Sequence, residues 1–185
     1  MNATYERPLK YAATTRLLHW LVALMVLAMI PIGIYMQTEG LPRAQQNLLF
    51  VMHKNGGVIL LALVLLRLVW RATHRAPSLP ASLPRWQVRA AGLTQAALYI
   101  LLLVMALSGY VRVAAGGFPI EMLDAIGMPS LVPRSDSLAG VAKTIHSYAR
   151  FGLIALVALH VAAGLKHLVQ RDGVFSRIWP PVGGR

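Results

Sequence analysis

Four long apolar runs constrain this chain more than any other feature of its sequence. They lie at about residues 17–36, 48–70, 90–111 and 145–169, and each is close to the roughly 20 residues that an α-helix needs to cross a bilayer. Of the 185 residues, 57% are hydrophobic and only 13% are charged, which is too little charge for a soluble domain of this length. We therefore predict one all-α domain over residues 1–185, an integral membrane four-helix bundle.

Basic residues predict how the four spans are oriented. The N-terminal arm, the loop between the second and third spans and the C-terminal tail together hold eleven Lys and Arg residues, whereas the opposite side holds five. Lysine and arginine accumulate in cytoplasmic loops, so we expect both termini to be cytoplasmic. These loops and their contacts with lipid head groups also account for the net charge of +12, so nucleic-acid binding is not expected.

The absence of cysteine from the sequence narrows the cofactors that the chain can bind. It excludes disulfides, iron–sulfur clusters, thiolate metal sites and the covalent attachment of a c-type haem. Any cofactor must therefore be held by His, Met, Tyr or carboxylate side chains, and the chain has only six acidic residues.

Four histidines lie within or at the ends of the predicted spans: His19, His53, His146 and His160. Ionisable residues are costly inside a membrane and need a reason to be there, and neutral imidazole is a common metal ligand that suits haem iron. His146 and His160 are 14 residues apart, which on a helix is about 21 Å along the axis and nearly the same face. Because they cannot share one iron, we predict two b-type haems stacked across the membrane.

Depth in the membrane pairs these ligands between helices. His53, near the outer end of the second span, is predicted to pair with His146, and His19, near the cytoplasmic end of the first span, with His160. The predicted boundaries place His160 one to two turns deeper than His19, a difference that helix tilt or an earlier start of the first helix would absorb. The alternative is a haem-free transporter with a histidine proton relay, but such paths usually use intramembrane Asp or Glu, which these spans lack.

Two glycines and two arginines extend the predicted haem sites. Gly33 and Gly56 would leave clearance for a flat macrocycle, although close helix packing is the alternative for any single glycine. Arg67 is predicted at the level of the inner haem, where it would meet a haem propionate, orient a quinone or snorkel to the head groups. Arg150, one turn after His146, would meet a propionate of the outer haem.

Two further features concern the reactants. His167, two turns beyond His160, is a candidate for proton transfer to a quinone, with an ordinary interfacial histidine as the alternative. Basic residues near the outer haem would steer a small anionic donor, although acidic residues on the same side dilute the field. These basic residues are Lys54 and Lys143, with Arg43, Arg112 and Arg134 in adjoining loops.

Several segments, in this order and with four spans, resemble the bacterial cytochrome b561 family over nearly the whole chain. The matching segments are LLHW at 17–20, VMHKNGG at 51–57, VLLRLVWR at 64–71, DSLAGVAKTIHSYARFG at 136–152 and LHVAAGLKH at 159–167. The resemblance implies a four-helix bundle in the bacterial inner membrane with two haems b, which exchanges electrons with the quinone pool. It also implies the four histidines as ligands and a quinone site at the inner haem, where His167 matches a family position.

The resemblance further implies an oxidoreductase that links a periplasmic donor, with superoxide as one candidate, to ubiquinone. Quinol oxidation in the reverse direction would use the same residues. The alternative within the same architecture is a haem-bearing membrane anchor, the quinone-reducing subunit of a larger redox complex.

Overall fold

Four long helices form the fold in the computed structural model, which describes residues 10–78, 80 and 83–182. They are α1 (Ala13–Tyr35), α2 (Arg43–Thr73), α3 (Arg85–Ala115) and α5 (Asp136–Gln170), each long and apolar enough to cross a membrane. A short helix, α4 (Glu121–Ala125), lies between α3 and α5. The described residues contain no strand, so the predicted all-α membrane bundle is confirmed. Arg7 and Arg185, which contribute to the predicted orientation, lie outside the described residues.

The helices extend beyond the predicted apolar runs because polar residues continue them past the hydrocarbon core. The largest difference is in α5, which begins at Asp136 rather than near residue 145. Ser135 caps this helix, since its hydroxyl accepts a hydrogen bond from the Leu138 amide at 3.3 Å. α1 begins at Ala13 and continues through Pro31, which membrane helices tolerate.

The bundle packs α1 along α2, α2 along α3, and α3 along α5. Its buried core consists of six apolar side chains: Val22, Val26, Leu60, Val64, Leu102 and Leu153. We call the end where α1 begins and α5 ends the N/C end, and the opposite end, which carries α4, the α4 end. Many large apolar side chains remain exposed on the outside of the bundle, as expected for a surface in contact with lipid.

The segment after α5 folds back across the N/C end. Trp20 donates a hydrogen bond from its indole nitrogen to the Ile178 carbonyl at 3.1 Å, and its ring meets Trp179 edge to face at 5.4 Å. Arg177 is buried and donates to the Pro77 carbonyl in the loop between α2 and α3. The C-terminal segment therefore ties the first turns of α1 to this loop.

Polar contacts fasten α4 to α2 at the opposite end. Lys54 lies 2.6 Å from one carboxylate oxygen of Glu121, and the Asn55 amide donates to the other at 3.0 Å. Asn55 also accepts from the Met122 amide at 3.0 Å. Burial alone would raise the pKa of Glu121, but hydrogen bonds from Lys54 and Asn55 lower it below its usual value. Because Glu121 pairs with Lys54, this lysine adds less to the predicted positive field than its charge implies.

Asn55→Ala should loosen α4, because this one side chain satisfies both a carboxylate oxygen and a backbone amide of the helix. We expect faster hydrogen–deuterium exchange at residues 121–125, measured by mass spectrometry in detergent. Asn47→Ala, which alters an exposed asparagine on the same helix, is the control. Equal exchange in the two variants would contradict the anchoring role of Asn55.

Candidate functional site: two pairs of facing histidines

A spacing of seven residues organises the inner faces of three helices. Residues seven apart complete almost two turns and therefore project from nearly the same face. The series are His19, Val26 and Gly33 on α1, His53, Leu60 and Arg67 on α2, and His146, Leu153 and His160 on α5. The middle member of each series belongs to the buried core, so the histidines lie towards the two ends of the bundle.

The structure brings the four histidines together in the two predicted pairs. The ring centres of His53 and His146 are 6.3 Å apart, and those of His19 and His160 are 6.2 Å apart. A ligating imidazole nitrogen lies about 2 Å from its metal, so two axial imidazoles on one iron have ring centres about 6 Å apart. Both spacings therefore fit one iron between the rings, while metal binding itself stays a prediction.

α3 contributes no histidine to the pairs, but it holds the ring of His146. Nδ1 of His146 lies 3.0 Å from the Met105 carbonyl and 3.2 Å from the Ser108 hydroxyl. Because a carbonyl only accepts hydrogen bonds, Nδ1 carries the proton and Nε2 is left with a lone pair for a metal. Gly109 permits this close approach, since a Cβ there would lie 3.2 Å from Cε1 of His146.

His53 occupies a tight position between α2 and α1. Its Nδ1 is buried and has no hydrogen-bond partner among the described residues. A Cβ on Gly33 would lie only 2.7 Å from Cε1 of His53, so Gly33 makes room for the imidazole. Gly56 instead faces Met29, whose sulfur would lie 2.6 Å from an added Cβ. This contact supports the alternative in which Gly56 allows close packing of α1 and α2. Direct contact of either glycine with a haem stays a prediction.

Arg67 turns into the bundle instead of towards the head groups. One of its terminal nitrogens lies 2.9 Å from Nδ1 of His19, and its guanidinium lies over the ring of Tyr99 at 5.2 Å. Because guanidinium only donates hydrogen bonds, Nδ1 of His19 is the acceptor in this arrangement. The geometry therefore joins Arg67 to the inner pair and does not support the snorkelling alternative.

Two other predicted residues make their side-chain contacts outside the pairs. Arg150 is exposed and its guanidinium lies over the ring of Phe151 at 4.7 Å, so its role beside a propionate stays a prediction. His167 is half-buried at the N/C end, where Nδ1 lies 2.5 Å from a carboxylate oxygen of Asp172. In the part of the chain that the structure describes, no cluster of three or more His, Cys, Asp or Glu side chains has the arrangement of a metal-ion site.

The sequence prediction missed the contribution of α3 to the histidine pair at the α4 end. Ser108 is buried beside His146, and Arg112 is half-buried and interacts electrostatically with both His53 and His146. Arg112 was expected in a loop because the predicted third span ended near residue 111, whereas α3 continues to Ala115. A serine directly followed by a glycine in an apolar helix was the available signal.

Four apolar helices with imidazole rings paired at two depths define a multi-pass helical membrane protein whose geometry suits metal-bearing cofactors. The sequence profile of the family described as prokaryotic cytochrome b561 matches residues 10–181. The chain therefore belongs to the prokaryotic cytochrome b561 family, whose members are membrane b-type cytochromes that act in electron transfer and bind haem b.

Two proteins of Escherichia coli K12 are similar along nearly their whole length. Cytochrome b561 homolog 2 is 27% identical over 173 residues, which cover 92% of this chain and 92% of the relative. Cytochrome b561 homolog 1 is 29% identical over 176 residues, which cover 92% of this chain and 97% of the relative.

Gly33→Ala should displace His53, because the new methyl group would lie 2.7 Å from a ring carbon. We expect this variant to lose about half of its haem per polypeptide, measured by pyridine haemochrome assay on purified protein. Gly57→Ala is the matched control, since a Cβ at Gly57 would meet nothing within 4 Å. Full haem content in Gly33→Ala would show that the His53 ring does not need this clearance.

Proposed function

We propose that this protein is a transmembrane di-haem cytochrome b that carries electrons between a periplasmic donor and the quinone pool of the bacterial inner membrane. It acts as a single domain with both termini in the cytoplasm, so that the N/C end is the inner side. The proposal is carried by two pairs of facing histidines, each with one member on α5. Their ring centres are 6.3 and 6.2 Å apart.

In this proposal His53 and His146 hold the outer haem, and His19 and His160 hold the inner haem. The haem iron supplies a one-electron carrier, and the protein sets its potential through the axial ligands and their surroundings. The Met105 carbonyl and Ser108 fix the ring of His146. This support favours ligation through Nε2, because Nδ1 is already occupied as a donor.

Arg67 would change its hydrogen-bond partner when the inner haem binds. An imidazole that accepts a hydrogen bond through Nδ1 carries its proton on Nε2, the nitrogen that must be free to ligate iron. Arg67 therefore has to release His19 when haem binds, and the acidic side chains of haem are suitable new partners for its guanidinium. This reasoning favours the predicted propionate role of Arg67, with the orientation of a quinone as its second role.

The reactants are assigned to opposite ends. Beside the Lys54–Glu121 pair, the α4 end carries four basic residues and three acids, and this small positive excess favours a small anionic donor such as superoxide. The basic residues are Arg43, Arg112, Arg134 and Lys143, and the acids are Glu39, Asp124 and Asp136. His167 and Arg67 lie towards the N/C end, where ubiquinone would be reduced. Two superoxide ions would each give one electron and leave as dioxygen, while one quinone takes up two electrons and two protons to become quinol.

Removing one ligand should remove one haem. In His53→Ala and His146→Ala we expect the same haem to be lost, and in His19→Ala and His160→Ala the other haem, because each pair closes on one iron. The measurement is a reduced-minus-oxidised absorption spectrum with haem quantification, and His74→Ala, which changes an exposed histidine, is the control. Loss of both haems in His19→Ala alone, with none lost in His53→Ala, would refute the pairing.

Superoxide should reduce the haems of the purified protein, and oxidised ubiquinone should reoxidise them. Stopped-flow absorption after mixing with a superoxide source measures the first step, with superoxide dismutase as the control. Absence of superoxide-dependent reduction would refute this donor while leaving the haem assignment in place. If the haems are reduced only in the presence of a co-purifying subunit, the membrane-anchor alternative replaces the proposal.

A further inference from the structure

The contact between His167 and Asp172 marks the point where α5 meets the N/C end. Nδ1 of His167 lies 2.5 Å from Oδ2 of Asp172, and Oδ1 of Asp172 accepts a hydrogen bond from the Val174 amide at 3.1 Å. Both carboxylate oxygens are therefore engaged, and the side chain has one defined orientation. Both side chains are partly exposed, the His167 side chain by 17% and the Asp172 side chain by 22%.

The backbone builds this contact through the turn that ends α5. Arg171 adopts a left-handed conformation with φ 51° and ψ 33°, which a residue other than glycine adopts at some cost in free energy. This turn reverses the chain, so that Asp172 lies back against His167 instead of continuing the helix. Arg171 keeps this conformation although it is not a glycine. The contact between Asp172 and His167 helps to offset the cost.

Charge makes the pairing selective. The other described acidic residues, Glu39, Glu121, Asp124 and Asp136, all lie at the α4 end, so Asp172 is the only described acid at the N/C end. Burial alone would raise the pKa of Asp172, but hydrogen bonds from His167 and the Val174 amide lower it. The carboxylate contacts a histidine, although many lysine and arginine residues lie at this end. They are Lys10 before α1, Arg16 on α1, Arg71 on α2, Arg75 after α2, Arg85 and Arg89 on α3, Lys166 and Arg171 on α5, and Arg177 after α5.

Asp172 also lines a cavity at this end. The cavity has a volume of about 250 Å³ and is lined by Ser78, Pro80, Asp172, Gly173, Ser176 and Arg177. His167, whose Nδ1 contacts the same carboxylate, lies seven residues beyond His160 and on nearly the same face of α5. Asp172 therefore contacts both a cavity at the N/C end and a histidine on the face of α5 that carries His160.

We propose that Asp172 is a positioning residue for proton delivery: it accepts a hydrogen bond from Nδ1 of His167 and stabilises the imidazolium, whose Nε2 proton passes to a quinone and is then replaced from water. An aspartate that accepts from Nδ1 fixes the tautomer of an imidazole and stabilises its protonated form. The inference rests on the proposed quinone reduction at the inner side. There, each quinone receives two electrons from the haems and two protons through His167, and becomes quinol.

The first test reads the tautomer directly and does not depend on activity. In haem-loaded protein with ¹⁵N-labelled histidine, the nitrogen shifts of His167, assigned by difference with His167→Gln, should report a proton on Nδ1 in the wild type. Asp172→Asn should shift this balance towards the other tautomer, and Asp172→Glu should restore it in part. Asp136→Asn, an exposed aspartate on the same helix, should change nothing.

The second test measures proton-coupled oxidation. Haems reduced with dithionite are mixed with a short-chain benzoquinone, and their reoxidation is followed over a range of pH. Asp172→Asn should slow reoxidation about tenfold and change the pH profile, with recovery in Asp172→Glu and a wild-type profile in Asp136→Asn.

The outcomes separate the two proposals. If wild-type haems are not reoxidised by the quinone at any pH, the proposed function fails, whereas the nitrogen shifts still decide the role of Asp172. If Asp172→Asn keeps the wild-type tautomer and pH profile, Asp172 only caps the helix and the inference is wrong. If Asp172→Asn fails to bind haem, His167→Gln decides, and a wild-type rate and pH profile of reoxidation in His167→Gln would overturn the inference.

Discussion

Imidazole rings that face each other across the bundle impose the strictest geometric requirement on this protein. Two rings can share one iron only if the helices that carry them match in depth and in rotation. A shift of one residue along a helix would turn a side chain by about 100° and move it by about 1.5 Å. The spacing of seven residues on α1, α2 and α5 meets this requirement at both ends of the bundle, because it keeps His146 and His160 on one face.

The two pairs are supported in different ways. At the α4 end, a backbone carbonyl and a buried serine of α3 orient His146, so the ring is already held for ligation through Nε2. At the N/C end, Arg67 contacts Nδ1 of His19, and this contact would have to change if His19 binds a metal as proposed. The packing of α3 along α5 therefore stabilises one site directly, whereas the other depends on a charged side chain of α2.

The sequence was sufficient for the parts of the structure that follow from local periodicity and apolar length. The four spans, the common face of His146 and His160 and the partners of both were predictable, because helix geometry is nearly constant. The start of α5 at Asp136 was not predictable from hydropathy, since its first turns are polar and depend on the Ser135 cap.

Contacts between distant segments were beyond such reasoning. The Arg67–His19 contact, the burial of Ser108 and the Lys54–Glu121 pair depend on how helices and loops are arranged in three dimensions. Trp20 also illustrates this limit, because its position in an apolar run is typical of an interfacial tryptophan. In the structure its indole hydrogen-bonds to the Ile178 carbonyl of the C-terminal segment.

The buried core between the two histidine pairs has a consequence for energy conservation. It consists of six aliphatic side chains contributed by all four long helices, and such side chains can neither hydrogen-bond a water molecule nor stabilise an ion. Electrons can tunnel through packed hydrocarbon, whereas a proton needs a continuous chain of hydrogen-bonding groups. If the protein carries electrons across the membrane as proposed, this centre connects two aqueous compartments while remaining an insulator for protons, so that electron flow does not dissipate the proton gradient.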